Sequence, residues 1–382
     1  MNDTSEQNMN QVETPAPATS RRRWKRGLRL LAIAILIAVV CAAYLLKDHI
    51  RTLQSLRRIP GTNAYVLDYY VDYNIDAIRS QGMDVKNIED GLIRVFFPKV
   101  LVPIATSQKG MFIQEEIETL PAGSHRCSTV MLHSPGGNVF FGRNFDWKHD
   151  ACLVVKNHDG QSLSSIAVID LHYLNLDRDD LETISLIERI PLLFAPYYLQ
   201  DGMNRHGVAV ADMSVENVDA PYDAAKPNLM HSTAMRLILD YAKSTDDAIA
   251  LLRKYNIHFA ETTCHLMIAD STGKSAVVEF IDGNLIATPT DESWQVCTNH
   301  QVAGKAEAEN DQSCERYRLA SDQLATLPSA AGAADVMKIM ESVAQANSTM
   351  WTSVYDLATR EFHLAYRREF GRQYRDGLTV SN

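Results

Sequence analysis

The residues best suited to chemistry are a cysteine, an arginine and an aspartate that follow one another closely. Cys127 precedes a β-branched, apolar run (Ser128–Leu132), and Arg143 and Asp146 come sixteen and nineteen residues after it. A cation beside a thiol lowers the thiol pKa from about 8.5 and raises the thiolate fraction. The spacing therefore predicts a nucleophilic cysteine, provided that the fold brings Arg143 to it.

A turn signal lies between these residues. Ser134–Asn138 reads Ser-Pro-Gly-Gly-Asn and separates the first apolar run from a second one over 139–144. Two such runs around a turn of this composition predict a β-hairpin. Because a hairpin returns its second strand beside the first, we expect Arg143 and Asp146 near Cys127.

Asp146 gains a role if Cys127 is the first residue of a chain. An α-amino group has an ordinary pKa of about 7.7–8.0 and can act as a general base near neutral pH. A carboxylate can hold the corresponding ammonium group. Since 126 residues precede Cys127, this requires cleavage of the Arg126–Cys127 bond. The alternative is a buried cysteine that acts as a small hydrophobic residue, beside a structural ion pair.

This stretch, with Gly142–Trp147 as Gly-Arg-Asn-Phe-Asp-Trp, resembles the start of the mature chain in a group of N-terminal-nucleophile (Ntn) hydrolases. The group comprises choloylglycine hydrolase, penicillin V acylase, acid ceramidase and isopenicillin-N acyltransferase. The likeness covers about residues 127–366 and continues in four later segments, which are Gly202–Val210, Thr298–His300, Ser313–Leu319 and Trp351–Asp356.

The resemblance implies an α+β fold, a four-layer αββα sandwich of antiparallel sheets. It implies hydrolysis of a linear amide through a thioester on Cys127, after autocatalytic cleavage behind Arg126. In this scheme Arg143 tunes the thiol, Asp146 orients the amine, and the amide of Asn299 helps to form the oxyanion hole. No metal and no organic cofactor is expected.

Two positions depart from the group or leave its pattern ambiguous. The group often has an asparagine as second oxyanion contributor where this sequence has Ser214, although a backbone N–H could serve there. The active-site arginine of the group matches Arg316 or Arg318, and the spacing from Ser313 favours Arg316. The group's reaction could also end in acyl transfer to an amine, or the scaffold could have become an inactive binding protein.

The remaining chain shows where strands and helices should lie. Short apolar strand patterns alternate with helical patterns, which is typical of an α+β layered fold. Strands are expected at 208–211, 265–269, 275–280, 284–287, 350–355 and 361–366, and helices at 231–255, 314–326 and 334–345. The apolar stretch 191–198 could line an acyl pocket or belong to the core. His206, His265 and His300 lack metal-ligand spacing and are interpreted as structural.

The N-terminal region has a different composition. The first 46 residues carry six basic and three acidic side chains, although the chain has a net charge of −10. Residues 30–46 contain no charged side chain, and seventeen helical residues span about 25 Å, close to a hydrocarbon core of about 30 Å. This predicts a signal anchor with a cytoplasmic N-terminus and a periplasmic or other extracytoplasmic catalytic domain. The alternative is a cleaved signal peptide ending near Cys41-Ala42-Ala43.

Four regions follow from these features. They are a disordered basic tail over 1–29, a transmembrane helix over 30–46, a linker and mainly helical pro-segment or small subunit over 47–126, and the catalytic domain over 127–382. The acidic charge argues against nucleic acid as a partner. The expected partners are the membrane and a small N-acyl amide substrate, possible examples being bile-salt conjugates, acylated amines, penicillins, acyl-homoserine lactones and ceramide-like lipids. A membrane tether favours an amphipathic acylated substrate.

Five of the six cysteines lie in the predicted exported part. Four of them, Cys152, Cys264, Cys297 and Cys314, could pair in an oxidising compartment, and the sequence does not choose a connectivity. A third functional interpretation follows from this, an unrelated envelope protein held together by disulfide bonds.

Overall fold

The computed structural model describes residues 18–73, 75–83, 127–149, 151–158, 163–177, 180–216, 218–259, 263–303, 312–328 and 330–379. The chain divides into two units, Met1–Asp48 and His49–Asn382. The first contains helix α1 (Ala18–Leu45). Helix α2 (Lys47–Gln54) follows it.

The region predicted to cross a membrane is helical. Helix α1 covers nearly all of residues 30–46. Among the helices of the described residues, however, none combines the length and apolar character needed to span a bilayer. The predicted transmembrane helix is therefore not supported, and the location of the catalytic region stays a prediction.

The second unit is built around a nine-stranded sheet. Its spatial order is β1-β2-β5-β6-β7-β8-β11-β12-β13, and every neighbouring pair is antiparallel except β2 and β5, which are parallel. The strands are β1 (Arg57–Arg58), β2 (Ala64–Tyr69), β5 (Cys152–Asn157), β6 (Ser165–Asp170), β7 (Leu199–Asn204), β8 (Ala209–Ser214), β11 (Cys264–Ala269), β12 (Ser275–Ile281) and β13 (Asn284–Pro289).

A six-stranded antiparallel sheet packs against it. Its order is β14-β3-β4-β15-β16-β17. The strands are β3 (Ser128–His133), β4 (Val139–Asp146), β14 (Trp294–Cys297), β15 (Thr349–Asp356), β16 (Glu361–Tyr366) and β17 (Gln373–Gly377). A small parallel pair, β9 (Asn228–Met230) and β10 (Asn256–His258), lies apart from both sheets.

The helices cover the outer faces of the two sheets. They are α3 (Ile75–Gln81), α4 (His231–Tyr241), α5 (Thr245–Leu252), α6 (Gln312–Ala325) and α7 (Ala333–Ser342), with 3₁₀ helices at Leu171–Leu174 and Ile190–Tyr197. Three apolar cores separate the layers. One lies between the nine-stranded sheet and α4 and α5, one between the sheets, and one between the six-stranded sheet and α6 and α7.

This arrangement confirms the predicted α+β class with antiparallel sheets, and the layers follow the αββα order. The predicted helix over 231–255 is broken into α4 and α5, because Ser244 caps α5 by accepting a hydrogen bond from the Asp247 N–H. The proline-bounded stretch 191–198 packs in the core beneath the nine-stranded sheet, which favours the packing alternative over an acyl pocket.

The region predicted to be a mainly helical pro-segment contains the strands β1 and β2 as well as the helices α2 and α3. Residues 49–83 belong to the same unit as the catalytic region. Their strand β2 pairs in parallel with β5 over six residues, from Ala64↔Cys152 to Tyr69↔Asn157. The β-branched and aromatic residues of β2 are nearly all buried between two layers, which favours a strand over a surface helix. The rest of that segment lies outside the described residues.

Candidate active site

Cys127 stands directly before β3, at the position that the hairpin returns to. Strands β3 and β4 pair from Ser128↔Asn144 to His133↔Val139, which confirms the predicted hairpin. The turn closes with the Gly137 N–H donating to the Ser134 carbonyl at 2.9 Å, and Gly137 has a φ of +86°, which glycine adopts readily. Cys127 is buried, with 3% of its surface exposed.

The hairpin register brings Arg143 to Cys127. Arg143 Nη2 lies 3.7 Å from Cys127 Sγ. The same nitrogen donates to the Asp212 carbonyl at 2.7 Å and to the Asp212 carboxylate at 2.8 Å, and Nη1 donates to the Asp201 carboxylate at 3.3 Å. Because Arg143 is fully buried, these two carboxylates compensate its charge.

Asp146 also lies at Cys127. Its backbone N–H bonds to the Cys127 thiol. Its carboxylate Oδ1 accepts a hydrogen bond from the Thr349 hydroxyl at 2.5 Å, across the β4–β15 pair. This fixes a buried carboxylate beside the sulfur, although Arg126 and the bond to be cut lie outside the described residues.

The thiol itself differs from the sequence-based expectation. Burial raises the pKa of Cys127 to about 11, and Arg143 opposes this rise without reversing it. The nearby carboxylates of Asp146 and Asp212 add to the rise. Desolvation of the buried sulfur therefore outweighs the lowering of the thiol pKa that was expected from Arg143. The thiol is protonated at neutral pH and needs a base.

Asn299 and Ser214 meet on the other side of the site. The Asn299 side-chain nitrogen donates to the Ser214 carbonyl at 2.8 Å and approaches the Ser214 hydroxyl at 3.2 Å. The Asn299 backbone N–H donates to the Ser313 hydroxyl at 2.7 Å. Three contacts thus orient Asn299, and two of them are made by its side-chain nitrogen.

Arg316 ties these groups to the nucleophile. Its Nη1 donates to the Cys127 carbonyl at 2.6 Å and to the Ser128 hydroxyl at 2.7 Å, and its Nη2 donates to the Asn299 side-chain oxygen at 3.0 Å. Arg316 is buried, whereas Arg318 on the same helix is exposed. The structure therefore brings Cys127, Arg143, Asp146, Asn299 and Arg316 together, while their roles stay predictions.

Sequence reasoning missed the two aspartates that hold Arg143. Asp201 on β7 and Asp212 on β8 are both buried. Asp201 accepts from Ser353 at 2.7 Å, from the Trp351 indole at 3.1 Å and from Tyr355. Each is the single acidic residue of its strand, and a buried carboxylate in such a strand requires a cation or several donors. A lone acidic residue within a predicted buried strand was the sequence signal that could have indicated Asp201 and Asp212.

Two groups of side chains in the described chain have the composition of metal ligands. In the first, His149, His172 and Asp177, the two imidazole rings stack face to face with centroids 3.6 Å apart. Lone pairs in parallel ring planes do not converge on one ion. The second group is Asp212, His231 and Cys264, and its carboxylate already pairs with Arg143. Neither arrangement indicates metal chemistry.

Disulfide bonds do not contribute to the site. All six cysteines lie in the described part of the chain, and the structure contains no disulfide between any of them. The pairings considered from the sequence are therefore not seen. His300, treated as structural, lies 3.0 Å from both the Thr298 and the Ser313 hydroxyls and helps to fix the segment that carries Asn299.

Comparison with known protein families gives the assignment. The model of the acyl-coenzyme A:6-aminopenicillanic acid acyl-transferase family matches residues 134–369, well over half of the chain. The chain belongs to this family. The match includes Arg143, Asp146, Asn299 and Arg316 and begins seven residues after Cys127. It confirms the resemblance to the Ntn hydrolase group.

Individual relatives are more distant. A penicillin V acylase from Pectobacterium atrosepticum is 28% identical over 111 residues, which are 26% of this chain and 29% of that protein. The matched part thus spans under a third of the length of this curated relative. Among solved structures, a penicillin V acylase from Agrobacterium tumefaciens is 21% identical, with a TM-score of 0.47, over 63% of this chain and 83% of that one. A conjugated bile acid hydrolase from Clostridium perfringens is 14% identical, with a TM-score of 0.49, over 67% and 93%.

Proposed function

We propose that this protein hydrolyses a linear amide bond of an N-acylated substrate, with Cys127 as nucleophile at the start of a newly formed chain. The observation that supports this most is that Arg143 and Arg316 both contact the buried Cys127, while Arg316 also binds the side chain of Asn299. The family is described by an acyl-transferase, and the relative from Pectobacterium is a penicillin V acylase.

The first step of the proposal exposes the base. The Cys127 thiol attacks the carbonyl of Arg126, and the Arg126–Cys127 C–N bond breaks as the acyl group moves from nitrogen to sulfur. Water hydrolyses the resulting thioester, which leaves Cys127 with a free α-amino group and a free thiol. That amine then takes the thiol proton, which the high pKa of the buried thiol makes necessary. Asp146 stabilises the ammonium form that results.

The second step forms a thioester. Cys127 Sγ attacks the amide carbonyl, and a tetrahedral oxyanion forms. The side-chain amide of Asn299, whose nitrogen lies 3.2 Å from Ser214 Oγ, donates to this oxyanion, assisted by a backbone N–H near Ser214. Loss of one such donor typically costs about 10²–10³-fold in rate. The C–N bond breaks, the amine leaves with the ammonium proton, and water hydrolyses the thioester.

A second candidate is acyl transfer, which the acyl-transferase description of the family favours. The same thioester would be resolved by an amine instead of water. Product analysis with and without an added amine acceptor separates the two reactions. Formation of a new amide at the expense of free acid would show transfer.

N-terminal sequencing and intact mass of the purified full chain test the proposal. We expect a fragment that begins at Cys127 and hydrolysis of members of a panel containing penicillin V, bile-salt conjugates and N-acyl amines of varied chain length. Cys127→Ala should abolish both cleavage and hydrolysis. Cys152→Ala, at a buried cysteine on β5, is the matched control and should keep both. Activity retained in Cys127→Ala refutes the nucleophile, and hydrolysis by an uncut chain refutes the processing step.

A further inference from the structure

The segment that carries Asn299 is anchored from the opposite sheet. It leaves β14 of the six-stranded sheet and runs over residues 298–303. His265, on β11 of the nine-stranded sheet, points its Nε2 at the Thr298 carbonyl, 2.6 Å away. Thr298 directly precedes Asn299, so this contact fixes the peptide next to the amide that the proposed mechanism uses.

Glu279 anchors the other end of the same segment. Its Oε1 accepts the Val302 N–H at 2.9 Å, and its Oε2 accepts the Ala303 N–H at 2.6 Å. Glu279 Oε1 also lies 3.3 Å from His265 Nδ1. His265 and Glu279 are both buried, with 0% and 1% of their surfaces exposed. A continuous chain of polar contacts therefore joins Thr298 to Val302 and Ala303.

The hydrogen-bond partners of His265 determine its protonation state. A carbonyl oxygen and a carboxylate only accept hydrogen bonds, and a neutral imidazole has one N–H to offer. Because His265 has such an acceptor at each ring nitrogen, only the doubly protonated ring satisfies both contacts. The nearby Cys297 Sγ, 3.4 Å from Nε2, is also a possible acceptor.

We propose that His265 and Glu279 are positioning residues, and that His265 in its imidazolium form holds the Asn299 segment in the geometry needed for catalysis. The inference rests on the amide-hydrolase function proposed above. It extends that function because catalysis then depends on the protonation of His265, a buried residue 33 positions before Thr298 in the sequence.

The surroundings of His265 favour the charged form. Burial alone lowers its pKa, but Cys297 from β14 and Glu279 from β12 raise it to about 10. On the remaining side, β8 presents the uncharged Met213 in register. The pKa of His265 is thus raised above the ordinary value of about 6.5. The anchoring of Thr298 by the imidazolium is therefore fully present at low pH and is lost as the pH rises through about 10.

The experiment compares the full-length wild-type protein with His265→Gln and Glu279→Gln. The control is His363→Gln. This buried histidine lies on β16, and its side chain is hydrogen-bonded to that of Gln373. In the wild type, kcat should fall as the pH rises through about 10. His265→Gln should remove that fall in kcat at high pH. It should also reduce kcat about 10-fold or more, up to the roughly 10²–10³-fold cost of losing an oxyanion donor, with KM little changed. An unaltered kcat and pH profile in His265→Gln overturns the proposal.

Two readouts are independent of activity. Nitrogen-15 spectra of the histidine rings at pH 8.5 should show a doubly protonated imidazole in the wild type that disappears in His265→Gln. Hydrogen exchange in peptides covering 298–303 should be faster in His265→Gln and Glu279→Gln than in His363→Gln. Absence of an imidazolium signal, or unchanged exchange, overturns the positioning role. If the wild type hydrolyses no amide while both readouts appear, the proposed function fails and the anchoring stands.

Discussion

Asp201 provides the sharpest test of how the site is held. Its buried carboxylate accepts hydrogen bonds from Arg143, Trp351, Ser353 and Tyr355. Burial raises its pKa, while Arg143 and these donors oppose the rise. Asp201→Asn removes the charge and replaces one accepting oxygen with an amide nitrogen, so Arg143 retains only Asp212 as a carboxylate partner.

The expected loss follows from burial. Removing one partner of a buried ion pair costs about 3–5 kcal/mol. Because Arg143 keeps Asp212, we expect about 3 kcal/mol, at the lower end. The unit His49–Asn382 has 334 residues. At an unfolding entropy of about 2.1 cal/mol/K per residue, 1 kcal/mol corresponds to about 1.4 °C, so the Tm should fall by about 4 °C.

Thermal and urea unfolding of Asp201→Asn and Ser353→Ala measure this difference. Ser353→Ala removes one neutral donor to the same carboxylate, 2.7 Å away, and should cost about 1 kcal/mol. Equal losses in the two variants would refute the interpretation of Asp201 as the counter-charge of Arg143. A loss in Asp201→Asn at least twice that in Ser353→Ala supports it.

Two further substitutions test the geometry of the site and of the layers. Arg316→Lys replaces a buried planar fork with a point charge, and kcat should fall about 10–100-fold because hydrogen bonds to charged groups contribute about 1.5–3 kcal/mol. Arg318→Lys, at the exposed position on the same helix, should leave kcat unchanged, and equal kcat values for the two would contradict this. Gly202→Ala would place a Cβ 2.7 Å from Leu239 Cδ1 on α4 and should lower the free energy of unfolding in urea by about 1–3 kcal/mol. Gly371→Ala, with no atom within 4 Å, is the control, and similar losses in both would refute the packing argument.

Local signals in the sequence predicted a large part of the site. The turn at Ser134–Asn138 determines the hairpin, and the hairpin register then brings Arg143 and Asp146 to Cys127. The later strands have short turns and alternating patterns, and β11, β12 and β16 lie within one or two residues of their predicted bounds. These features depend on neighbours in sequence, which is why they can be predicted.

The features that could not be predicted depend on distant contacts. The role of Asp201 follows from donors on β4 and β15, about 60 and 150 residues away. The pKa of Cys127 depends mainly on its burial in the core between the two sheets. A charged residue nearby in the sequence does not reveal that burial. The pairing of β2 with β5 joins strands more than eighty residues apart, and a parallel partner leaves no turn signal between them.

The shared sheet has a consequence for handling the protein. If the bond after Arg126 is cut as proposed, β2 and β5 end up on different polypeptides yet remain neighbours through six paired residues. The cleaved protein should then elute from gel filtration as one complex, and its two polypeptides should separate only under denaturing conditions. A recombinant piece starting at Cys127 would leave the edge of β5 unprotected, with its Leu-Val-Val sequence open to other strands, and should aggregate unless residues 49–83 are supplied alongside.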